Sequence, residues 1–368
     1  MTTSTKIEML YQVGNGKEIT QGLGANSKLV LDYRSFLSSA DKWSQINNFI
    51  KKHEGEYIMG YFGYDTDDTL SHHEQSTFPK VFLFVPQVIN TLSAADAGKD
   101  GKIFSVEPYL KENEGEFLNI LSKGIEWTEE RAGRLTLARK IVIAEDLDLK
   151  SVLKHPISCT RPDLHRTFYL RCDEVSLAGV SPELLLHGTT KKFCTYKLSG
   201  TNSQTDSSTT GFPDEKIALE FGSSMYDMRN NLSVLGETTS VNSCINTGVV
   251  RHYLKEFTIV PKKPVSAVDC IRAIWPFGTS HVSEGLKFIV ENETSDRGPY
   301  YGLIGVITPS GEMQFSQILR TYFKKGTQNF AWAGCAVIPQ STPEAELEET
   351  CMKFRSFPTI DVKGEKND

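Results

Sequence analysis

Residues 300–338, YYGLIGVITPSGEMQFSQILRTYFKKGTQNFAWAGCAVI, decide the fold. Three apolar runs lie in this stretch: YYGLIGVI at 300–307, QILRTYFKK at 317–325 and NFAWAGCAVI at 329–338. Each is short and rich in β-branched or aromatic residues, which predicts strands. Runs of the same kind recur upstream in EYIMGYFGYD (56–65), VFLFVPQVI (81–89), KIVIAEDL (140–147), RTFYLRCDEVSLAGV (166–180), ELLLHG (183–188) and FCTYKL (193–198). Between them, DEKIALEFGSSMYDMRNNL (214–232), SEGLKFIVENE (283–293) and TPEAELEETCMKFRSF (342–357) read as helices, each with a cap or start residue. Blocks of strands interrupted by single helices predict an α+β fold with large, mainly antiparallel sheets rather than a doubly wound one. TNSQTDSSTTGFPDE (201–215) reads as a loop beside a site, leading into a helix, and SAADAGKDGK (93–102) as a second loop. There is no internal repeat and no Gly-rich phosphate loop.

At 368 residues the chain exceeds one minimal core, and a single large domain over 1–368 accommodates it. Charged residues at 23% and apolar residues at 39% are ordinary for a globular protein and exclude disorder. A net charge of −6, without a Lys/Arg cluster, argues against a nucleic-acid surface. The seven cysteines (159, 172, 194, 244, 270, 335, 351) are scattered and form no C-x-x-C pair. Neither a zinc site nor a disulfide framework is indicated, and a reducing compartment fits best. The opening MTTSTKIEMLYQ lacks a basic region followed by an apolar core, and no stretch approaches about eighteen uninterrupted apolar residues. The expectation is a cytoplasmic protein with no membrane segment.

Four places carry candidate chemistry. Lys140 heads the apolar run Ile141-Val142-Ile143-Ala144; its ammonium either reaches solvent or lies in a pocket where burial lowers its pKa and makes it a usable base. On the C-terminal helix Glu346, Glu349 and Lys353 stand at i, i+3 and i+7 and share a face. That stripe reads as a solvated face, or, if Glu220 of the 214–232 helix meets it across a cleft, as hard oxygen ligands of the kind Mg²⁺ takes. Glu183 follows a Ser-Pro turn at the head of an apolar strand, where it either faces water or, partly buried, serves as a general acid. Gly200, beside the Thr201 hydroxyl, and Gly334 let a substrate approach the backbone, and Arg320 in an apolar strand calls for a carboxylate partner, a bound substrate being one candidate.

Taken in order, these stretches resemble the chorismate-utilising enzymes: the anthranilate synthase large subunit, aminodeoxychorismate synthase, isochorismate synthase and salicylate synthase. SPELL, SGT, RNNL, RGPYYG, LRT, AGCAV and P-E-x-E-x-E-E-T are similar to that family's SPELL, AGT, RNDL, GPYGG, IRT, AGAGI and P-x-x-E-x-x-E-T. The match runs from about residue 59 to 354, its most specific part over about 130–356. The resemblance implies a large two-sheet antiparallel sandwich with outer helices. It implies Glu183 as the general acid for the departing C4 hydroxyl of chorismate, and Glu220 and Glu349 as Mg²⁺ ligands, with Glu346 beside them. Arg320, Tyr300, Lys353 and the amides near Gly200, Thr201 and Gly334 would hold the two substrate carboxylates.

Lys140, 43 residues before Glu183, resembles the lysine that activates water in isochorismate and salicylate synthases. The leading expectation is therefore a Mg²⁺-dependent chorismate isomerase of the isochorismate type, with loss of pyruvate to give salicylate as a second step. The alternatives are an ammonia-using synthase fed by a glutamine amidotransferase subunit, which the resemblance of GYFGYD favours, and a degenerate homologue that binds chorismate without catalysis. Ser199, where aminodeoxychorismate synthases often carry a lysine, argues against that branch. Thr258 stands where relatives have a histidine; SHVSEG (280–285) replaces S-G-x-P-K. Ile217 and Phe221 replace a glutamate and a histidine, and Ala336 replaces a glycine.

Overall fold

The computed structural model describes residues 6–13, 18–32, 41–64, 78–93, 102–155, 161–203, 215–247, 250–275, 278–293 and 295–363. Among them, two large sheets carry the fold. The first has eight strands in the order β6 (Val88–Ser93), β2 (Glu18–Leu23), β1 (Ile7–Val13), β10 (Arg166–Cys172), β11 (Val175–Ser181), β18 (Thr321–Lys325), β19 (Gln328–Val337) and β8 (Leu135–Ile143). The second has nine: β14 (Gly236–Thr247), β15 (Val250–Pro261), β13 (Lys192–Ser203), β12 (Leu184–Thr189), β17 (Met313–Gln317), β16 (Leu303–Ile307), β4 (Ile58–Phe62), β5 (Val81–Val85) and β3 (Ser27–Leu31). Short strands β7 (Lys102–Ile103), β20 (Asp361–Val362) and β9 (Leu147–Asp148) make a third sheet. The ladders of both large sheets are antiparallel, as expected.

Strand alternation explains the layering. Phe82 and Phe84 of β5 join Met9 and Tyr11 of β1, Phe168 of β10 and Phe323 of β18 in the core between the sheets. Val81, Leu83 and Val85 point the other way, under the outer helices. The same alternation runs through β4 and β16, where Met59, Tyr61, Ile304 and Val306 face the inner core and Ile58, Phe62, Leu303 and Ile307 the outer helices, with Gly60 and Gly305 opposite each other. A Cβ at either would strike a neighbouring carbonyl oxygen at 1.9 Å, so only glycine permits this close approach.

Helices α1 (Lys42–Lys52), α3 (Glu215–Ser233) and α4 (Ala267–Ala273) cover the outer face of the nine-stranded sheet through Ile46, Phe49, Met225, Leu232 and Ile271. Helices α2 (Glu114–Arg131), α5 (Val282–Asn292) and α6 (Pro343–Arg355) cover the β8–β19 edge of the other through Phe117, Leu121, Leu286, Ile289 and Phe354. Helix α6 begins where its sequence dictates. Thr342 caps Ala345 N at 3.4 Å, Pro343 opens the first turn with Glu344 and Glu346, and Lys353 and Arg355 lie in the last.

The three expected helices form within two residues of their predicted ends; α1, α2 and α4 were not anticipated. VFLFVPQVI is not one strand, because Pro86 and Gln87 divide it into β5 and β6, which belong to different sheets. Of the predicted loops at 201–215 and 93–102, residues 204–214 and 94–101 lie outside the described residues, while the ends belong to β13, α3, β6 and β7. Among the described residues no helix is long and apolar enough to cross a membrane, and the six cysteines there are free thiols.

Candidate active site

Two strand crossovers lie side by side where the chain leaves one large sheet for the other. Pro182 and Glu183 link β11 to β12, and Ile318, Leu319 and Arg320 link β17 to β18. They are tied by Gln317 N to Glu183 O at 3.0 Å, and Arg320 takes a left-handed φ of +49° to make the turn. A seam between sheets leaves backbone and polar side chains facing inward, and here it opens a cleft with about 850 Å³ of unfilled space including its mouth.

Glu183 lies at the base of the cleft with only 4% of its side chain exposed. Its Oε1 accepts from Lys197 Nζ at 2.7 Å and from Leu198 N at 3.2 Å. Lys197, on β13, is 13% exposed at its side chain. Burial works to push its pKa down, but the Glu183 carboxylate and then Tyr301 outweigh burial and hold it above the ordinary lysine value. Tyr301 has the opposite fate. Burial favours the neutral phenol, yet Lys197, the Thr136 hydroxyl at 3.4 Å and Arg134 together hold its pKa below normal.

The remaining walls are cationic and aromatic. Arg320 is buried, with Nη2 3.1 Å from His252 Nε2 of β15, and Arg134 enters beside β8. Opposite, Tyr300 stacks on Trp332 at 5.8 Å between centroids and 12° between planes. A Cβ on Gly334 would lie 3.0 Å from the Tyr300 hydroxyl and 2.8 Å from Leu137 O, so glycine is required there by packing. Lys353 reaches from α6 to donate to Gly334 O at 2.7 Å while pairing with Glu349 Oε1 at 2.7 Å. Glu346, one turn before Glu349, is fully buried.

The structure thus brings Glu183, Tyr300, Arg320, Gly334 and Lys353 into one cleft. Lys140 does not line it. Its ammonium sits 4.2 Å over the Phe330 ring in an adjoining cavity that, among the described residues, shares only Trp332 with the cleft. Burial lowers its pKa, and Asp296 partly opposes that. Gly200 falls at a bulge in the β13–β15 ladder between Ser199 and Thr201; the side chains of Thr201 and of Glu220, on α3, lie outside the described residues. Among the described residues no three His, Cys, Asp or Glu side chains converge as a metal site.

The histidine of the cleft is His252, not a residue at position 258. Thr258 lies 3.5 Å from Cys194 Sγ and does not line the cleft. Ala336 does line it. Sequence reasoning missed Lys197, His252, Tyr301, Arg134 and Gln317. Lys197 was visible inside FCTYKL as a charge in an apolar strand, the signal that singled out Lys140.

A model of the chorismate binding enzyme family matches residues 128–359. Anthranilate synthase component 1 from Saccharolobus solfataricus is 29% identical over 212 residues, covering 52% of this chain and 49% of that protein. The chain therefore spans about half the length of the curated relatives it matches. The fold is shared with MenF, the menaquinone-specific isochorismate synthase from Escherichia coli, at a TM-score of 0.70 and 17% identity over 97% of this chain and 89% of that one. It is shared equally with anthranilate synthase component I from Streptococcus pneumoniae, at a TM-score of 0.72 and 15% identity over 93% and 92% of the two chains. The sandwich is that of the chorismate-utilising enzymes. Residues 128–359 contain all the described residues that line the cleft, and the chain belongs to the family of chorismate binding enzymes.

Proposed function

We propose that this protein converts chorismate to isochorismate in a Mg²⁺-dependent reaction, adding water at C2 and expelling the C4 hydroxyl. The observation that carries the reading is the buried Glu183–Lys197 pair, set in a cleft whose other walls present Arg134, Arg320 and Lys353. Cationic walls suit a small dicarboxylate, and a buried titratable pair suits proton transfer to a leaving oxygen. Arg320, Tyr300, Lys353 and the backbone at Gly200, Thr201 and Gly334 are assigned to the substrate carboxylates. Glu183 is assigned to protonation of the departing hydroxyl. Lys140, whose amine burial holds below its ordinary pKa, is assigned to the incoming water at the Trp332 edge common to both cavities.

Carboxylate oxygens of Glu220, Glu346 and Glu349 are the hard donors that Mg²⁺ prefers, and they are assigned to hold it. When bound, the ion supplies a clamp on the ring carboxylate and offsets its charge. The same reading carries a cytoplasmic location, in keeping with the free thiols.

A second reading is favoured by the identity to an anthranilate synthase component 1: ammonia replaces water, and a glutamine amidotransferase subunit supplies it. The test is incubation of purified protein with chorismate and Mg²⁺, with and without ammonium, and identification of products by liquid chromatography and mass spectrometry. Isochorismate, or salicylate after loss of pyruvate, formed without ammonium and abolished by chelation, supports the proposal. An amino product formed only with ammonium replaces it with the second reading. Unchanged chorismate in both leaves a protein that binds chorismate without catalysis.

A further inference from the structure

We propose that Tyr301 is a specificity-determining residue: its ring walls off the side of the cleft that faces C4 of the substrate and limits the group carried there to the size of a hydroxyl. This rests on the reading of the cleft as a chorismate site and adds to it what the site excludes. A further cavity, with about 830 Å³ of unfilled space including its mouth, adjoins the cleft. It is bounded by Asn230 and Asn231 of α3, by Trp275, and by Gly278, Thr279 and His281 on the segment leading into α5. Among the described residues, the cleft and this cavity share Arg134, Lys197 and Tyr301, which form the partition between them. Lys197 fixes which part of the substrate meets the partition. Its Nζ lies 2.7 Å from Glu183 Oε1, and Glu183 is assigned to the C4 hydroxyl.

Tyr301 is the rigid member of the partition. Its ring turns about two side-chain torsions, against the long flexible stems of lysine and arginine. Tyr64 packs against it edge-on, with 5.6 Å between centroids and 81° between planes. At Gly278, which lines the further cavity, a Cβ would lie 2.8 Å from Tyr301 Cε1, while the Tyr301 hydroxyl is 3.4 Å from Oγ1 of Thr136, which lines the cleft. The backbone is held as well. Tyr301 N donates to Ile318 O at 3.0 Å and Tyr301 O accepts from Gln317 Nε2 at 3.3 Å, so the crossover that carries Arg320 also sets the ring. It is held at a φ of +70°, where a bulky side chain is an outlier and glycine is unstrained. Of the six non-glycine residues with positive φ among the described residues, Tyr301, Arg320 and His281 bound these two cavities. Strain that the surrounding structure enforces beside a ligand site points to a side chain needed in that place. Removing the ring would join the two cavities and relieve the backbone together.

The test measures binding to the full chain by calorimetry, in the presence of Mg²⁺, with two probes. 3-(Carboxymethoxy)benzoate is a dicarboxylate of chorismate's size, and its 4-benzyloxy derivative extends from the ring position that corresponds to C4. Wild type is expected to bind the short probe at least about tenfold more tightly than the extended one. Tyr301→Phe, which keeps the ring, is expected to keep that ratio. Tyr301→Gly is expected to bring the two affinities within about threefold of each other while retaining the circular dichroism spectrum of wild type. Where glycine unfolds the protein, Tyr301→Asn takes its place, being short and tolerant of a left-handed backbone. The proposal alone is overturned by a wild type that binds the extended probe as tightly as the short one, by a Tyr301→Phe protein that loses the discrimination, or by a folded glycine or asparagine variant that keeps it. Loss of folding in both small variants also overturns it, leaving Tyr301 a purely structural residue. A wild type that does not bind the short probe overturns the reading of the cleft as a dicarboxylate site and this proposal with it.

Discussion

Replacing Glu293 by glutamine is expected to cost about 3–5 kcal/mol of stability. Both side chains of the Glu293–Arg297 pair are 3% exposed. Arg297 donates from Nη2 at 2.5 Å and from Nε at 2.7 Å to the two carboxylate oxygens, and Glu293 Oε1 also accepts from Ala138 N at 2.8 Å. Arg297 Nη2 reaches on to Thr136 O at 2.6 Å, so the pair clamps the Thr136–Ala138 segment of β8 at the cleft edge. Burial works against the guanidinium charge, and Glu293 more than offsets it, holding the Arg297 pKa above its usual value. Glutamine matches glutamate in shape, so no cavity opens. What is lost is the counter-charge to a group that cannot discharge, and the new amide N–H₂ faces other donors.

At about 2.1 cal/mol/K per residue, unfolding 368 residues carries roughly 0.8 kcal/mol/K of entropy, so Tm should fall by roughly 4–6 °C. The assay is urea denaturation followed by circular dichroism and tryptophan fluorescence. Glu291→Gln is the control. Its partner Lys287 is 3.8 Å away, with side chains 60% and 51% exposed, and screening by solvent should keep its effect within about 0.5 kcal/mol. A loss of less than about 1 kcal/mol for Glu293→Gln, or one no larger than for the control, refutes the reasoning.

Burial, reinforced by Arg320, lowers the pKa of His165 to about 4. An unfolded histidine titrates near 6.5, so stability is intact above about pH 6.5 and falls by up to about 3 kcal/mol as pH drops toward 4. His165→Asn should flatten that limb in urea titrations, and an unchanged acid limb counts against it. In Gly334→Ala the new Cβ would meet Leu137 O at 2.8 Å and the Tyr300 hydroxyl at 3.0 Å. Stability should drop by about 1–3 kcal/mol and KM for chorismate should rise roughly tenfold or more; an unchanged KM removes Tyr300 from substrate binding. Lys140→Ala should abolish water addition while leaving chorismate binding, measured by calorimetry, unchanged. Full activity in that variant ends the role assigned to Lys140.

Short apolar runs alternating across a pleat, and capped helices such as α6, are local properties, and the sequence by itself determined them. It also determined membership of a chorismate binding family, because SPELL, LRT and AGCAV are contiguous stretches whose spacing survives without coordinates. The helix α2 went unread, although Phe117, Ile120, Leu121, Gly124, Trp127 and Thr128, which it buries, stand at helical spacing. Only the tertiary structure decided which of two strand lysines faces Glu183. Lys140 and Lys197 both sit in apolar strands, and nothing local distinguishes them. Pairing of β8 with β19 carries Lys140 past Trp332, whereas β13 beside β12 turns Lys197 into the seam. The same holds for His252 against Thr258, six positions apart on β15 and with opposite fates. Alternation says that a residue faces one side of a sheet; which end of that side meets the crossovers depends on non-local strand order and register, and that is a property of the assembled sandwich.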